Sequence, residues 1–158
     1  MKFKGTASTL IKRFADSVSP DIPGLRGLRY QASRLQGANA DDLFDLRFED
    51  GEWTVEYLRD LDQDDAKAAS ALMRYAEARL AALEETIYRF ATGPITVSQA
   101  AILLEAVPDS IRARILDGSL EGYVENGRAT TSFPALVRFL DRAASLNQPQ
   151  ALQPVIDR

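Results

Sequence analysis

The clearest pattern of apolar and polar residues in this chain lies between residues 62 and 91. This stretch is rich in Ala, Leu, Glu and Arg and contains neither Gly nor Pro, a composition that favours one long helix. Apolar residues recur within it at alternating spacings of four and three, at Ala69, Met73, Ala76, Leu80, Leu83, Ile87 and Phe90. Because this is a heptad spacing, we expect the stripe to pack along its length against another helix.

The partner of this stripe can be sought in a second copy or in the same chain. No other helix of matching length is indicated by the sequence, so we expect a homodimer formed through residues 64–91. The alternative is that the stripe belongs to the chain's own hydrophobic core, closed by an N-terminal helix and a hairpin.

A β-hairpin is predicted just before the long helix. Apolar and polar residues alternate on both sides of Asp50-Gly51, and Asp-Gly is a frequent turn sequence in two-residue hairpins. Two strands alone are marginal in water, so the next helix is expected to cover their apolar face. Ahead of the hairpin, only residues 8–18 have helical spacing, and residues 20–39 are expected to form a loop that is partly disordered without a partner.

The last third of the chain contains closely spaced start and stop signals. Thr96 and Gln99 predict a capping box at the start of a short helix, and Pro108 predicts the first turn of a second helix. Asn126-Gly127 predicts a tight hairpin. A closing helix is predicted to start at Ser132. The hydrophobic centre of this stretch is expected to consist of Leu103, Ile111, Ile115, Tyr123 and Phe139.

This stretch, residues 94–144, resembles the excisionase family of winged helix-turn-helix proteins, which is related to the MerR-type DNA-binding head. The resemblance rests on an ordered set of matches: Thr96-Val97, Ala100-Ala101, Leu103-Leu104, Gly118-Ser119-Leu120, Gly127-Arg128 and the segment 134–140. It implies that the second helix enters a major groove of DNA while the hairpin, or wing, touches the adjacent backbone.

The resemblance also implies which residues meet DNA. Ser110, Arg112 and Arg114 are expected on the second helix, with Asn126 and Arg128 at the tip of the wing. Arginine suits either a guanine edge or a phosphate. Many family members carry an apolar residue at the position of Arg114, so a surface or salt-bridge role for Arg114 remains the alternative.

Charge is distributed unevenly along the chain. The net charge is −4, but residues 1–40 carry seven basic and two acidic side chains. The stretch 93–145 has five Arg against six acidic residues, which opposes binding to phosphates unless a dimer and the basic N-terminal arm supply positive charge. Otherwise, the module serves protein binding.

Composition narrows the chemistry further. The chain has no Cys and no His, which removes thiol nucleophiles, the commonest general base and the commonest zinc ligands, so we expect no enzyme, no cofactor and no metal. Four Asp between residues 60 and 65 are interpreted as complementing the positive end of the long helix. No signal peptide or membrane span is indicated, and a cytoplasmic location is expected.

Together these patterns predict a mainly α protein with short β-hairpins, an α+β fold. The predicted divisions are a basic arm (1–42), a hairpin with the long helix (43–92), a winged helix-turn-helix (93–145) and a flexible tail (146–158). The predicted function is a DNA-binding regulator, either a transcriptional regulator or an excisionase-like recombination accessory factor, with double-stranded DNA as its partner. The alternative is a non-enzymatic adaptor whose acidic winged helix binds a protein.

Overall fold

Helices dominate the fold, and two small antiparallel sheets accompany them. The computed structural model describes residues 2–18, 22, 24–34, 39–58 and 66–146. Its elements are α1 (Gly5–Ser17), α2 (Arg26–Ala32), a 3₁₀ turn (Ala40–Asp42), β1 (Phe44–Glu49), β2 (Glu52–Tyr57), α3 (Ala66–Thr92), β3 (Pro94–Thr96), α4 (Val97–Leu104), α5 (Pro108–Leu116), β4 (Tyr123–Glu125), β5 (Arg128–Ser132) and α6 (Phe133–Leu146). The predicted α+β class and the long helix are confirmed.

Packing divides the chain into two compact units. Unit 1 comprises Met1–Phe3 and Val18–Thr86, and unit 2 comprises Lys4–Ser17 and Ile87–Arg158. These units differ from the predicted divisions at residues 42 and 92, because α1 groups with the C-terminal third. The acidic run at 60–65 and the predicted tail beyond residue 146 lie outside the described residues.

Unit 1 is built on the β1–β2 hairpin. The strands pair in register, with Leu46 opposite Val55, and the turn residues Asp50 and Gly51 have φ of 53° and 80°. Gly51 is required for a second reason, since a Cβ there would collide with the carbonyl oxygen of Phe3. The predicted hairpin and its turn are therefore confirmed.

Helix α3 covers the apolar side of this hairpin. Leu72 is fully buried, and the rings of Phe44 and Tyr75 meet edge to face with centroids 6.0 Å apart. Leu46 and Val55 pack against the same cluster. The expectation that the following helix covers the strands is confirmed.

Helix α2 lies in the stretch where a loop was predicted, so that part of the prediction was wrong. The helix has no side-chain cap, and its sequence offers no strong local signal. It packs instead through Leu28 and the fully buried Ala32 against the core of unit 1. Tertiary burial supplies most of the stability of short helices, which explains why local patterns missed this one.

Unit 2 contains a three-stranded sheet in the order β3–β5–β4. The capping box of Thr96 and Gln99 is formed, and Asn126 and Gly127 have φ of 53° and 78° at the β4–β5 turn. The predicted succession of helix, helix, hairpin and closing helix is present. Its largest fully buried side chains are Leu10, Ile11, Ile95, Leu103, Leu104, Ile111, Leu120 and Leu136.

Helix α1 is an integral part of unit 2. Leu10 and Ile11 are fully buried, and Phe14 stacks on Phe90, with ring centroids 3.9 Å apart. The guanidinium of Arg13 donates a hydrogen bond of 2.7 Å to the carbonyl of Leu103. The N-terminal helix is therefore a structural element of this unit.

The heptad stripe of α3 is mostly buried within the chain itself. Ala69, Ala76, Leu83, Ile87 and Phe90 are buried, whereas Met73 is 43% exposed. This burial favours the alternative in which the stripe belongs to the chain's own core, and the homodimer stays a prediction. Among the described helices, none combines the length and apolarity needed to cross a bilayer.

Candidate nucleic-acid interface

Helix α5 has a buried face and an exposed face. Pro108 occupies its first turn, where the fixed φ of proline suits the helix and its missing N–H costs nothing. Ile111 and Ile115 are buried. The exposed face follows the helical spacing of three and four residues and consists of Asp109, Arg112, Ala113 and Leu116.

A hydrogen bond joins this exposed face to the β4–β5 hairpin. The Nη2 group of Arg112 donates to the carbonyl oxygen of Gly127 over 3.1 Å. A guanidinium has five N–H donors in a planar fork, so a single bond to a carbonyl leaves donors for another acceptor. Arg112 is exposed, and its charge lies beside the hairpin turn.

The turn itself presents two more of the predicted site residues. Asn126 and Arg128 flank Gly127 and are both exposed. The side chain of Arg128 makes no hydrogen bond or ion pair with any described residue. Three predicted site residues, Arg112, Asn126 and Arg128, are therefore brought together around one turn.

The other two predicted site residues are more enclosed. Ser110 is half-buried and lies in the first turn of α5, where its N–H donates to the carbonyl of Val107. Arg114 is half-buried, and its guanidinium carbon lies 5.3 Å from the centre of the Phe139 ring. A cation over an aromatic ring is a stabilising contact, so this position favours the structural alternative for Arg114.

The net charge of unit 2 differs from that of residues 93–145 alone. Residues 93–145 carry a net charge of −1, but the segment Lys4–Ser17 adds three basic residues and one acidic residue, and Arg89 adds another cation. The described part of unit 2 therefore has nine basic and seven acidic side chains, a net charge of +2. Of the seven cations in the predicted basic arm, Lys4, Lys12 and Arg13 belong to unit 2, and the last two lie on α1.

Ion pairs neutralise part of this charge away from the turn. Arg138 pairs with Glu121 over 2.6 Å, and Arg142 donates to the carbonyl of Ser119 over 3.1 Å. Arg13 lies 3.7 Å from Glu105. Arg112 and Arg128 are not held in such ion pairs with described residues, so both guanidinium charges at the turn are available to an outside anion.

Acidic residues stand near the same surface. Asp109 is exposed in the first turn of α5, and Glu125 is exposed beside the turn. Asp117 follows α5, where the hydroxyl of Ser119 and then its N–H lower the pKa of the carboxyl. The Asp117 carboxylate accepts the N–H of Ser119 over 2.8 Å. These carboxylates repel phosphates and limit the affinity that the surface alone can give.

Exposed apolar side chains were missed by the sequence patterns. Tyr123 was expected in the hydrophobic centre of this unit and is 57% exposed, so that expectation was wrong. It lies on β4, an edge strand, while the backbone of Gly122 takes the place next to Ile115. Other exposed apolar residues of this unit are Tyr88, Ile102, Val107, Leu116 and Val124.

The described residues contain no group of three or more Asp or Glu placed to hold a metal ion. Comparisons with protein-family models, with curated proteins and with solved structures found no match to this chain.

Proposed function

We propose that unit 2 binds double-stranded DNA and that the chain is a DNA-binding regulator, either a transcriptional regulator or an excisionase-like recombination accessory factor. Helix α5 enters the major groove as a recognition helix, and the β4–β5 hairpin lies against the adjacent backbone as a wing. The observation that carries this proposal is the bond from Arg112 to the Gly127 carbonyl, since it joins the helix and the turn into one exposed surface that presents Arg112 and Arg128.

Helix α1 supports the proposal by changing the charge of the unit. Phosphate neutralisation supplies most of the affinity of proteins for duplex DNA, and the last third alone is acidic. With α1, Lys4 and Arg89 included, the described part of unit 2 has a net charge of +2. The objection raised by the acidic last third is thereby reduced.

The test is fluorescence anisotropy with a labelled random duplex at about 50 mM salt, a concentration at which phosphate contacts are strong. The intact chain is expected to bind at micromolar concentration, and Arg128→Ala is expected to weaken binding. It should also reduce the slope of log affinity against log salt by about one, as expected for one lost phosphate contact. Arg138→Ala is the matched control, because that charge is already paired with Glu121.

A contrary result has a clear form. No binding at this salt concentration, or equal weakening by Arg128→Ala and Arg138→Ala, would refute DNA binding through the turn.

The second candidate function, a protein-binding adaptor, is favoured by the exposed Val107 and Leu116 at either end of α5. In that case a pull-down is expected to recover a protein partner that is lost with Leu116→Asp.

Homodimerisation is part of the proposed function, because a dimer would present two such surfaces to DNA. Met73 is the exposed member of the heptad stripe. A substitution there can therefore disrupt contact with a second copy without disturbing the core. Light scattering is expected to give twice the chain mass, and Met73→Glu is expected to give the monomer. A wild-type monomer at tens of micromolar, a range in which specific dimers form, would contradict this part of the proposal.

A further inference from the structure

Unit 1 contains a cavity of about 360 Å³, close to the lower end of the size range of small-molecule sites. It lies between the start of α2 and the middle of α3. Its lining consists of Ile22, Gly24, Leu25, Arg26, Arg29, Tyr75 and Arg79. Three arginines therefore surround one small space in a unit whose core is otherwise apolar.

A single carboxylate positions two of these arginines. Asp41 lies 2.9 Å from the guanidinium of Arg29 and 3.0 Å from that of Arg79, and it also accepts the hydroxyl of Tyr75 over 2.8 Å. Burial raises the pKa of Tyr75, so this hydroxyl remains a neutral donor. The network fixes the guanidinium groups before any ligand arrives, which favours tight binding.

The cluster retains unused positive charge and unused donors. Among the carboxylates of the described residues, Asp41 is the one that pairs with these guanidinium groups, and it balances one of their three charges. The Nε–H of Arg79 is buried without an acceptor among the described residues, and such groups usually have a partner in folded proteins. Arg26 is exposed, and its side chain makes no hydrogen bond or ion pair with a described residue.

We propose that this cavity binds a small organic phosphate. A phosphate monoester carries about −1.5 to −2 charges at neutral pH and three strong acceptor oxygens, which matches the surplus charge and the forked donors of several guanidinium groups. A carboxylate carries a single negative charge, which is about half that of a phosphate monoester. Ile22 and Leu25 offer an apolar wall for the organic part. This inference goes beyond DNA binding, since it concerns unit 1 and a small molecule.

The experiment is isothermal titration calorimetry on the full chain at constant ionic strength, with phenyl phosphate as the probe and benzoate as its carboxylate counterpart. Saturable binding of phenyl phosphate is expected, at least about tenfold tighter than that of benzoate. Arg26→Ala is expected to weaken it by about tenfold or more, as for a lost charged hydrogen bond. Arg74→Ala, an exposed arginine on α3 outside the cavity lining, is the matched control and is expected to leave the affinity unchanged.

Arg79→Lys provides a second variant, because it keeps the charge while removing the buried Nε–H. Arg79→Lys is expected to weaken the binding of phenyl phosphate and to leave the circular dichroism spectrum of the protein unchanged. Three results would each overturn the proposal: no saturable binding up to about 10 mM, a concentration that reports even weak specific sites; equal affinities for phenyl phosphate and benzoate; or equal losses in Arg26→Ala and Arg74→Ala.

Discussion

Phe14 and Phe90 stack with their ring planes 10° apart and their centroids 3.9 Å apart. The contact ties the N-terminal helix α1 to the end of α3 within unit 2. Phe90 also meets Phe133 edge to face, with centroids 5.7 Å apart. The beginning of the chain therefore completes a core whose remaining members come from its second half.

Phe14→Ala is expected to destabilise unit 2 by about 3–5 kcal/mol, because it removes a large buried ring and leaves a cavity. Urea denaturation followed by circular dichroism measures this change. The matched control is Tyr88→Ala, which removes an aromatic ring that is 55% exposed and is expected to cost much less. Equal costs for the two variants would argue against the position of α1.

The close approach of Gly122 to its neighbours gives a second prediction. A Cβ at this position would collide with the carbonyl oxygen of Thr130 and lie 3.2 Å from a methyl carbon of Ile115. Gly122→Ala is therefore expected to lower the free energy of unfolding by about 1–3 kcal/mol, the usual cost of overpacking. Gly27→Ala is the control, since nothing lies within 4 Å of its Cβ position and alanine is the better helix former. An unchanged free energy of unfolding in Gly122→Ala would contradict the close approach of Gly122 to Thr130.

Asp117 gives a prediction about pH. Because the Ser119 hydroxyl and N–H lower the pKa of this carboxyl, its contribution to stability is present above the unfolded pKa and is lost as the pH falls through the lower folded pKa. An NMR titration is expected to place the Asp117 pKa below that of an ordinary aspartate. Ser119→Ala is expected to raise it part of the way, since the N–H donor remains. An unchanged pKa in Ser119→Ala would contradict the assigned cause.

A fourth prediction separates the roles of the two exposed arginines in DNA binding. The test compares a duplex selected from a random pool with a random duplex. If Arg112 contacts a base edge, Arg112→Ala is expected to reduce the difference in binding free energy between the two duplexes by about 1–3 kcal/mol. Arg128→Ala is expected to weaken both duplexes by similar amounts, as phosphate contacts do. If Arg128→Ala reduced this difference and Arg112→Ala weakened both duplexes equally, Arg128 would be the residue at the base edge and Arg112 the one at the phosphate. Point substitutions are needed here because truncating the N-terminal arm would remove the buried Leu10 and Ile11.

The features predicted correctly from sequence are those set by neighbouring residues. Asp50-Gly51, Asn126-Gly127 and the capping box of Thr96 with Gln99 each depend on a few adjacent residues, and all three are present. Helix α2 was missed because its stability comes from burial against distant residues. The burial of the α3 stripe within the chain has the same origin.

The candidate interface shows the same distinction between features set by neighbouring residues and features set by packing. Sequence placed Asn126 and Arg128 at a turn, and that depends only on the turn signal. The bond from Arg112 to Gly127 and the position of Arg114 over Phe139 depend on how α5 packs against the hairpin and α6. Tyr123 was misplaced because no local pattern reveals that Gly122 fills the space beside Ile115.

The membership of α1 in unit 2 has a consequence for how the protein is made. During synthesis this helix leaves the ribosome before the rest of unit 2, whose last helix α6 ends at Leu146. At typical elongation rates of about 5–20 residues per second, the apolar face with Leu10 and Ile11 waits on the order of ten seconds before α6 is complete. The nascent chain therefore exposes the apolar face of α1 while the rest of unit 2 is made, and a chaperone that shields this helix is expected to raise the yield of folded protein.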